Sequence, residues 1–599
     1  MEHLNKSCKG ASRRWLWLLL AVVLIWFGNI EYRKLIKPDE GRYAEIPREM
    51  VVSGDWVTPR LNDLKYFEKP PLQYWATAAA YEMFGEHQWT SRLWAALTGF
   101  AGIVLVWFAG SRLFGCAAGR YAAVLLGGSL LYALMGHINT LDMGVTFFIT
   151  LGIVALLLGQ QTQSDARNGH GNSAAPDEET RDARFPLPIP PPQAGEGGKV
   201  SQREFHIQCR NWMVLAWVAM ALAVLSKGLM GLVLPGAALF LYSVFQRDIG
   251  VWKRMHWGIG LLLFMVVVSP WFYLVMKANP EFFQKFFIYE HYTRFTTKEL
   301  GRYQPWYYFV PVLLFGMMPW TLLMFDTVLR TWKDSARSDR AFNPERFLLI
   351  WAIFIYLFFS MSGSKLPSYL LPMFPALALL MGKQLAAMNE RRLFWLIAPM
   401  LPLALLGLGL APFTDMRADT PLQHQMYGEY AYWLVAASLV WLLGVIAALV
   451  LLRRPNLIKA PMPVAVLVLA LSSLIAAQLG TSGYNTIAKE RSAYLIADAI
   501  RPYVKAGVPF YSVAMYEQTL PFYLKRTFTL VNFQDEMAFG ITQEPQRWLP
   551  DIASLAKAWQ AQPAAYAIMP IESYPQLQNA GLAMKIIYRD TQYIVVSKP

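Results

Sequence analysis

Repeated apolar runs are the feature that most constrains this chain. A helix that crosses a bilayer needs about 20 apolar residues, and fourteen runs approach or reach that length. They cover residues 14–30, 71–84, 90–111, 121–136, 143–160, 211–226, 228–246, 256–276, 305–327, 346–361, 367–385, 393–412, 430–452 and 461–479. The run 71–84 is short and contains Gln73 and Glu82, so we expect it to lie at the interface. The pattern therefore predicts a polytopic α-helical membrane protein with thirteen spans.

Basic residues predict how the spans are oriented, because basic loops are retained on the cytoplasmic side. With the first run kept as a helix and the N-terminus inside, the inside loops hold the clusters Arg112 and Arg120; Arg247, Lys253 and Arg254; Arg330, Lys333, Arg337, Arg340 and Arg346; Arg391 and Arg392; and Arg453, Arg454 and Lys459. The segments 38–70, 277–304 and 362–368 and the C-terminal region then face the periplasm, as do Asp142 and Lys227. The unusual charges of the chain converge on one face.

The net charge of +14 is spread over these short loops, which favours anionic membrane lipids over nucleic acid as partners. The three cysteines, Cys8, Cys116 and Cys209, have no paired spacing. In the predicted orientation all three lie on the cytoplasmic side, where thiols stay reduced. This spacing indicates neither a disulfide framework nor a zinc site.

Two segments differ from the rest of the chain. Residues 161–208 are polar and rich in Pro and Gly, which predicts a disordered cytoplasmic insertion. Residues 480–599 alternate strand-like runs such as VPFYSVAMY with helical ones such as IASLAKAWQAQ, which predicts a small α/β domain on the periplasmic side. We see no phosphate loop or nucleophile motif in it, so we expect a structural cap.

The segment 38–70 concentrates charge in a chain of which only 16% is charged. Within it, the run GRYAEIPREM predicts an amphipathic helix with Arg42, Glu45 and Glu49 on its polar side. Such a helix would lie flat on the membrane interface. Pro70 and Pro71 end regular structure directly after Glu68 and Lys69, which fixes that pair at the start of the next apolar stretch. A solvated, charge-balanced loop is the alternative.

Acids and phosphate-binding cations meet on this predicted face. Lys69, Arg42 and Arg294 can bind a lipid phosphate, while carboxylates can orient or deprotonate an attacking group. Together they suit the transfer of a group from a phosphate-linked lipid. His291, beside Glu290, forms with Glu68 a candidate site for a divalent cation, but a single histidine is a weak metal signal, so we expect no required cofactor.

The motifs PDEGRYAEIPREM, SGDW, YFEKPPLQYW, SKG, EHYTRF, PWYYFVPV and KLPSYLLP, with the isolated LD at 141–142, occur in this order. Over about 14–160 and 209–480, the chain thereby resembles the bacterial 4-amino-4-deoxy-L-arabinose lipid A transferases (ArnT). That family belongs to the polyprenyl-phosphate-dependent, GT-C type membrane glycosyltransferases related to protein O-mannosyltransferases.

The resemblance implies a transmembrane glycosyltransferase domain over 1–479, with a periplasmic catalytic loop at 31–89. It implies an inner-membrane enzyme that moves aminoarabinose from undecaprenyl phosphate to lipid A phosphates at the periplasmic face and gives polymyxin resistance. Asp39 matches the catalytic acid, and Asp142 is the second acidic position. The positions that match the lining of the donor-phosphate cavity are Arg42, Tyr66, Glu68, Lys69, Lys227, Arg294 and Tyr369.

Two other interpretations remain. A related transferase could use a different sugar, or a protein or glycan acceptor. A lipid transporter is the alternative from another class, but transporters place ionisable residues near the bilayer midplane and often contain repeats. Here the charges lie at one face and we find no repeat. We expect the chain to act as a monomer.

Overall fold

The computed structural model describes residues 13–168, 202–293, 304–335 and 342–599. Helices form most of the N-terminal four-fifths. They are α1 Arg13–Phe27, α2 Asp39–Ser53, α3 Leu72–Phe84, α4 Gln88–Phe114, α5 Cys116–Gly127, α6 Leu130–Met135, α7 Asp142–Asn168, α8 Gln202–Lys227, α9 Met230–Gln246, α10 Gly250–Lys253, α11 Trp257–Ala278, α12 Phe309–Gly316, α13 Thr321–Ser335, α14 Pro344–Met361, α15 Phe374–Ala386, α16 Glu390–Ile397, α17 Met400–Leu410, α18 Pro421–Arg453 and α19 Pro461–Arg491. Gln284–Thr293 is a π-helix, and Pro367–Met373 is a 3₁₀ helix that leads into α15.

Multiple apolar helices confirm a multi-pass membrane protein. Among the described residues, nine helices are long and apolar enough to cross a bilayer, or ten if one bent pair is a single span. The runs 14–30, 121–136 and 228–246 form shorter helices, of which α1, α5 and α9 have 15, 12 and 17 residues. The count of thirteen spans therefore stays a prediction. The run 71–84 forms the 13-residue helix α3.

Two predicted segments differ from what the structure contains. The run 305–327 is broken, because the chain bends by 110° between the helices Trp306–Gly316 and Thr321–Asp334. Pro319 lies in the break, and a proline has no N–H to continue the helical hydrogen bonds. The prediction that 161–208 is disordered is wrong at both ends, because α7 continues to Asn168 and α8 begins at Gln202. Residues 169–201 lie outside the described part of the chain.

The charged segment, residues 38–70, forms α2 and then a hairpin of β1 Arg60–Leu61 and β2 Leu64–Lys65. Helix α3 follows it directly. The predicted helix forms as α2, but its polar side is not exposed, and its flat orientation on the interface stays a prediction. Its charged residues Glu40, Arg42, Glu45, Arg48 and Glu49 are each at most 6% exposed. They can be buried because they are paired, as in the two hydrogen bonds of 2.7 and 2.5 Å from Arg48 to Glu45.

The C-terminal residues form the predicted α/β domain. Its six strands, in the order β5-β4-β3-β6-β8-β7, are parallel from β5 to β6, and β8 and β7 are antiparallel additions. The strands are β3 Phe510–Val513, β4 Thr529–Val531, β5 Trp548–Leu549, β6 Tyr566–Pro570, β7 Lys585–Arg589 and β8 Tyr593–Ser597, and the helices are α20 Tyr494–Ile500, α21 Leu520–Leu524, α22 Ala538–Gln543, α23 Ile552–Ala561 and α24 Tyr574–Asn579. The last long helix, α19, runs to Arg491, past the predicted boundary at 479.

This domain packs directly on the charged segment. Ile46 and Met50 of α2 share one hydrophobic core with Phe528 and Leu530 of the sheet region. Asn62, at the hairpin turn, donates to the Phe528 carbonyl and accepts from its N–H at 2.8 and 2.7 Å. The domain and the charged segment are therefore joined by both apolar and hydrogen-bonded contacts.

Candidate active site

Asp39 is the first residue of α2. It lies beside a buried ion cluster of Glu40, Arg33 and Arg92, which is saturated in the sense that both carboxylate oxygens of Glu40 accept several hydrogen bonds. Glu40 accepts hydrogen bonds from Arg33 at 2.8 and 2.9 Å and from Arg92 at 2.8 and 3.0 Å. The N–H groups of Ile36 and Asn139 also donate to Glu40. Burial alone would raise the pKa of the Glu40 carboxyl, but the two guanidinium groups outweigh it and lower the pKa to about 2. The start of α2 is thereby held in place.

A cavity of about 440 Å³ opens beside Asp39 and brings together seven of the predicted site residues. Its lining combines charged and hydroxyl-bearing side chains with apolar side chains. The predicted residues that line it are Asp39, Arg42, Glu68, Lys69, Asp142, Lys227 and Tyr369. Tyr66 does not line the cavity itself, but its ring centre lies 5.8 Å from the Arg42 guanidinium carbon.

Asp142 and Lys227 form an ion pair in this cavity. Asp142 begins α7 and Lys227 ends α8, so the antiparallel packing of these helices places the acid beside the base. Gly228 then has φ +86°, a conformation that glycine adopts without strain, and it turns the chain away directly after Lys227. The Tyr369 ring centre is 4.9 Å from the Lys227 ammonium. Because Asp142 is paired, it is poorly placed to act as a free base.

Arg42, in the first turn of α2, lines this cavity. One terminal nitrogen forms an ion pair with Glu536 of the C-terminal domain, and the other lies 3.8 Å from Asp39. Its Nε is buried without a hydrogen-bond partner among the described residues, as are the hydroxyls of Tyr66 and Tyr74. Burial raises the pKa of both tyrosines, so these hydroxyls stay protonated. Of these three residues only Arg42 lines the cavity, where its guanidinium can contribute to the binding of an anion.

A second cavity, of about 650 Å³, lies on the other side of Asp39. Asp39 and Thr140 line both cavities. The rim of the second cavity carries Lys37, whose ammonium donates to the Tyr593 hydroxyl of β8 at 2.7 Å. Its walls are largely apolar and include Leu130, Leu134, Ile138, Leu434, Ala437, Trp441, Ala476 and Ala477. Each cavity thus combines charged residues with apolar walls, and both are lined by the Asp39 carboxylate.

The structure does not describe every predicted site residue. Arg294 and the side chain of His291 lie outside the described part of the chain, so the candidate cation site at Glu68 and His291 stays a prediction. Within the described ranges, no group of three or more His, Cys, Asp or Glu residues could hold a metal ion. Lys365, in the motif KLPSYLLP with Tyr369, does not line the cavity, and its ammonium donates to the carbonyls of Gln304 and Ser362.

Sequence reasoning did not single out several cavity residues. Ser362, Ser364 and Ser368 line the cavity around Tyr369, and the hydroxyl-rich run SGSKLPS was a usable signal for them. Glu290 also lines it, from the π-helix Gln284–Thr293, and here the sequence had already pointed to this acid as the neighbour of His291. Glu536 had no local signal, because it is far from Arg42 along the chain.

Comparisons with known proteins identify relatives of this chain. Residues 496–598 match the family described as aminoarabinose transferase C-terminal domain, and residues 68–168 match dolichyl-phosphate-mannose-protein mannosyltransferase. The crystal structure of ArnT from Cupriavidus metallidurans bound to undecaprenyl phosphate is 35% identical, with a TM-score of 0.85, over 98% of this chain and 99% of that one.

A relative from Aeromonas salmonicida, named undecaprenyl phosphate-alpha-4-amino-4-deoxy-L-arabinose arabinosyl transferase, is 30% identical over 440 residues. That alignment covers 72% of this chain and 70% of the relative. An oligosaccharyltransferase from Archaeoglobus fulgidus, 13% identical over 94% of this chain and 70% of that one with a TM-score of 0.50, shares the fold alone. The chain has the predicted GT-C type fold, and it belongs to the undecaprenyl phosphate-aminoarabinose arabinosyl transferase (ArnT) family.

Proposed function

We propose that this chain is an integral inner-membrane glycosyltransferase that moves 4-amino-4-deoxy-L-arabinose from undecaprenyl phosphate to a phosphate of lipid A. One observation carries the proposal: Asp39 lines two cavities, and each joins charged residues to apolar walls. Two lipids with charged head groups can therefore meet at one carboxylate. The likeness to ArnT bound to undecaprenyl phosphate supports the choice of donor.

The donor binds in the cavity that contains Lys69. Its phosphate lies among Lys69, Arg42 and Lys227, where fixed cations favour an anion. The prenyl chain leaves along the apolar walls, which include Val145, Ile149, Val233, Leu234 and Phe358. Tyr369 restricts the Lys227 ammonium by stacking against it.

The acceptor binds in the second cavity. Its acyl chains occupy the apolar walls between α6, α18 and α19, and its phosphate approaches Asp39 past Lys37. Lys37 is held at the rim by Tyr593, so the C-terminal domain shapes this entrance. Hydrophobic contact supplies binding free energy for the chains, while the lysine selects an anionic head group.

In the reaction, an oxygen of the acceptor phosphate attacks the anomeric carbon of the sugar. The bond from that carbon to the donor phosphate oxygen breaks, and undecaprenyl phosphate leaves with one more negative charge. Lys69 and Arg42 stabilise that charge as it develops. A lipid A phosphate is already anionic near neutral pH, so it does not need Asp39 as a general base to remove a proton. We assign it to orienting the acceptor or the ammonium group of the donor sugar.

The site faces the periplasm, because the loops with the most basic residues lie on the other side. The α/β domain that follows α19 is then periplasmic. Adding an amine to lipid A masks negative charge, so the activity gives resistance to cationic peptides such as polymyxin. The chain acts as a monomer, since one copy supplies both cavities.

The test is a mass spectrum of lipid A from a bacterium that lacks its own aminoarabinose transferase but makes the donor. The unmodified chain should add an aminopentose, and Asp39→Asn, expressed to the same level, should not. Unmodified lipid A despite good membrane expression would contradict the proposal. It would favour another lipid-linked sugar or a protein or glycan acceptor.

A further inference from the structure

The C-terminal domain reaches the first turn of α2, the turn that carries Asp39. A Cβ atom at Gly41 would lie 2.5 Å from the carbonyl oxygen of Gln518 and 2.9 Å from the Thr519 methyl carbon. Only a residue without a side chain permits this approach, so the domain and the helix meet backbone to backbone at this point. Gln518 is therefore held against the helix turn that carries Asp39.

The contact continues through a chain of polar groups to the donor cavity. Glu517 accepts from the N–H and hydroxyl of Thr519 at 2.9 Å each and from the Leu520 N–H at 2.8 Å, which fixes the turn that carries Gln518. The Gln518 amide donates to one oxygen of Glu536, and Arg42 pairs with the other oxygen. Glu536 is thereby restrained from both sides.

The arrangement fixes how the Arg42 guanidinium is presented. One terminal nitrogen is committed to Glu536, the other points toward Asp39 at 3.8 Å, and Nε is unused within the described structure. Asp39 and Glu68 line the same cavity and are competing acceptors for Arg42. Without Glu536, the guanidinium would be free to rotate toward these carboxylates and away from a phosphate.

We infer that Glu536 is a positioning residue of the donor site, which acts through Arg42 and makes the C-terminal domain a part of that site. This inference rests on the proposed function, because it names how the same donor phosphate is recognised. Glu536 does not itself face the ligand. It fixes the orientation of the guanidinium that lines the donor cavity.

The competing explanation is that Glu536 only docks the domain. The chain offers a matched control for that role in Glu544. This residue belongs to the same domain and accepts from Arg60 at 2.7 Å and from the Lys65 N–H at 3.0 Å. It therefore ties the domain to the same charged segment, but it contacts the hairpin and does not line the donor cavity.

The experiment measures the affinity of the purified full chain for undecaprenyl phosphate in detergent. The variants are Glu536→Gln, Arg42→Gln, the double variant and Glu544→Gln, each with its thermal unfolding midpoint. Glu536→Gln should weaken binding about tenfold, a size that one broken interaction between neighbouring groups commonly gives. The double variant should bind no more weakly than Arg42→Gln alone, and Glu544→Gln should bind like the unmodified chain.

Unchanged binding in Glu536→Gln would overturn the inference. So would losses that add in the double variant, or an equal loss in Glu544→Gln, because both would indicate docking alone. Glu536→Asp keeps the charge, and if it and Glu536→Gln both fail to fold, the role is structural and the inference is wrong. The readout needs neither sugar nor acceptor, so a chain that binds undecaprenyl phosphate in this pattern but does not modify lipid A contradicts only the proposed function.

Discussion

Glu40 and Arg42 lie two residues apart on α2, yet their surroundings are opposite. Glu40 receives four hydrogen bonds from guanidinium groups and two from backbone N–H groups. Arg42 keeps an unused Nε, and Tyr66 and Tyr74 near it have hydroxyls without partners among the described residues. Both clusters are buried. One is saturated and the other is not.

The difference separates the two tasks of this helix turn. A saturated cluster offers nothing to a ligand, but it fixes the backbone from which Asp39 projects. An unsaturated cluster costs stability, because each buried polar group without a partner loses its hydration. Such a cost is typical of a site that completes its hydrogen bonds with substrate. The saturated side is therefore structural, and we expect the unsaturated side to bind.

The largest effect should come from removing charge on the binding side. Asp39→Asn and Lys69→Ala should abolish transfer, because the first removes the carboxylate shared by both cavities and the second removes a cation at the donor phosphate. Neither change should prevent membrane insertion. The measurement is sugar transfer by purified protein, with the thermal midpoint as control. Normal transfer in either variant would remove that residue from the proposed site.

On the saturated side, Glu40→Gln should mainly destabilise. Breaking a buried pair leaves Arg33 and Arg92 uncompensated, which commonly costs about 3–5 kcal/mol. The thermal unfolding midpoint should therefore fall steeply. Glu31→Gln is the matched control, because Glu31 is exposed and accepts from the Trp89 N–H. Equal midpoints for the two variants would show that the Glu40 cluster is not the anchor we describe.

The Glu40 cluster should also make the thermal stability of the chain depend on pH in the acidic range. The pKa of Glu40 is lowered from 4.5 to about 2, so its contribution to stability is present above pH 4.5 and is lost as the pH falls toward 2. Burial raises the pKa of Glu49 and Glu536, which acts in the opposite direction. The informative quantity is therefore the difference in midpoint between the unmodified chain and Glu40→Gln. It should shrink between pH 4.5 and 2, and a constant difference would contradict the pairing.

A smaller effect should distinguish satisfied from unsatisfied hydroxyls. Tyr74 and Tyr132 are both at most 1% exposed, but the Tyr132 hydroxyl donates to the Gly99 carbonyl at 2.9 Å and the Tyr74 hydroxyl has no partner among the described residues. Tyr132→Phe should lower the free energy of unfolding by about 1 kcal/mol, while Tyr74→Phe should leave it unchanged or raise it. Equal losses would mean that Tyr74 also has a partner in the folded protein.

Much of the fold was predictable because its causes are local. Apolar runs predicted the membrane helices, and alternating patterns predicted β3, β4, β6, β7 and β8. The extent of individual helices was less predictable. Polar residues at 161–168 suggested disorder, yet they continue α7. The two residues of β5 are too few to form a pattern, and only their pairing with β4 makes them a strand.

The site was predictable where its residues come from contiguous motifs. PDEGRY and YFEKPP supplied Asp39, Arg42, Glu68 and Lys69, and the cavity contains all four. The partners that hold them were not predictable. Arg92 reaches Glu40 from α4, 52 residues further along the chain, and Glu536 reaches Arg42 only because the C-terminal domain covers that helix. Spacing in a single sequence does not indicate such contacts.

The smallest effect should follow a deletion that leaves both clusters intact. Replacing residues 169–201 with a short Gly/Ser linker should change neither transfer nor the thermal midpoint, since α7 and α8 retain all their helical residues. The contrasting deletion of 161–208 removes the ends of both helices, next to the contact between Cys209 and the Gly159 carbonyl. It should lower the midpoint. Because Asp142 and Lys227 lie at the opposite ends of these helices, even that variant should retain transfer once it is folded. Loss of transfer in the shorter deletion, with a normal midpoint, would show that residues 169–201 contribute to the activity.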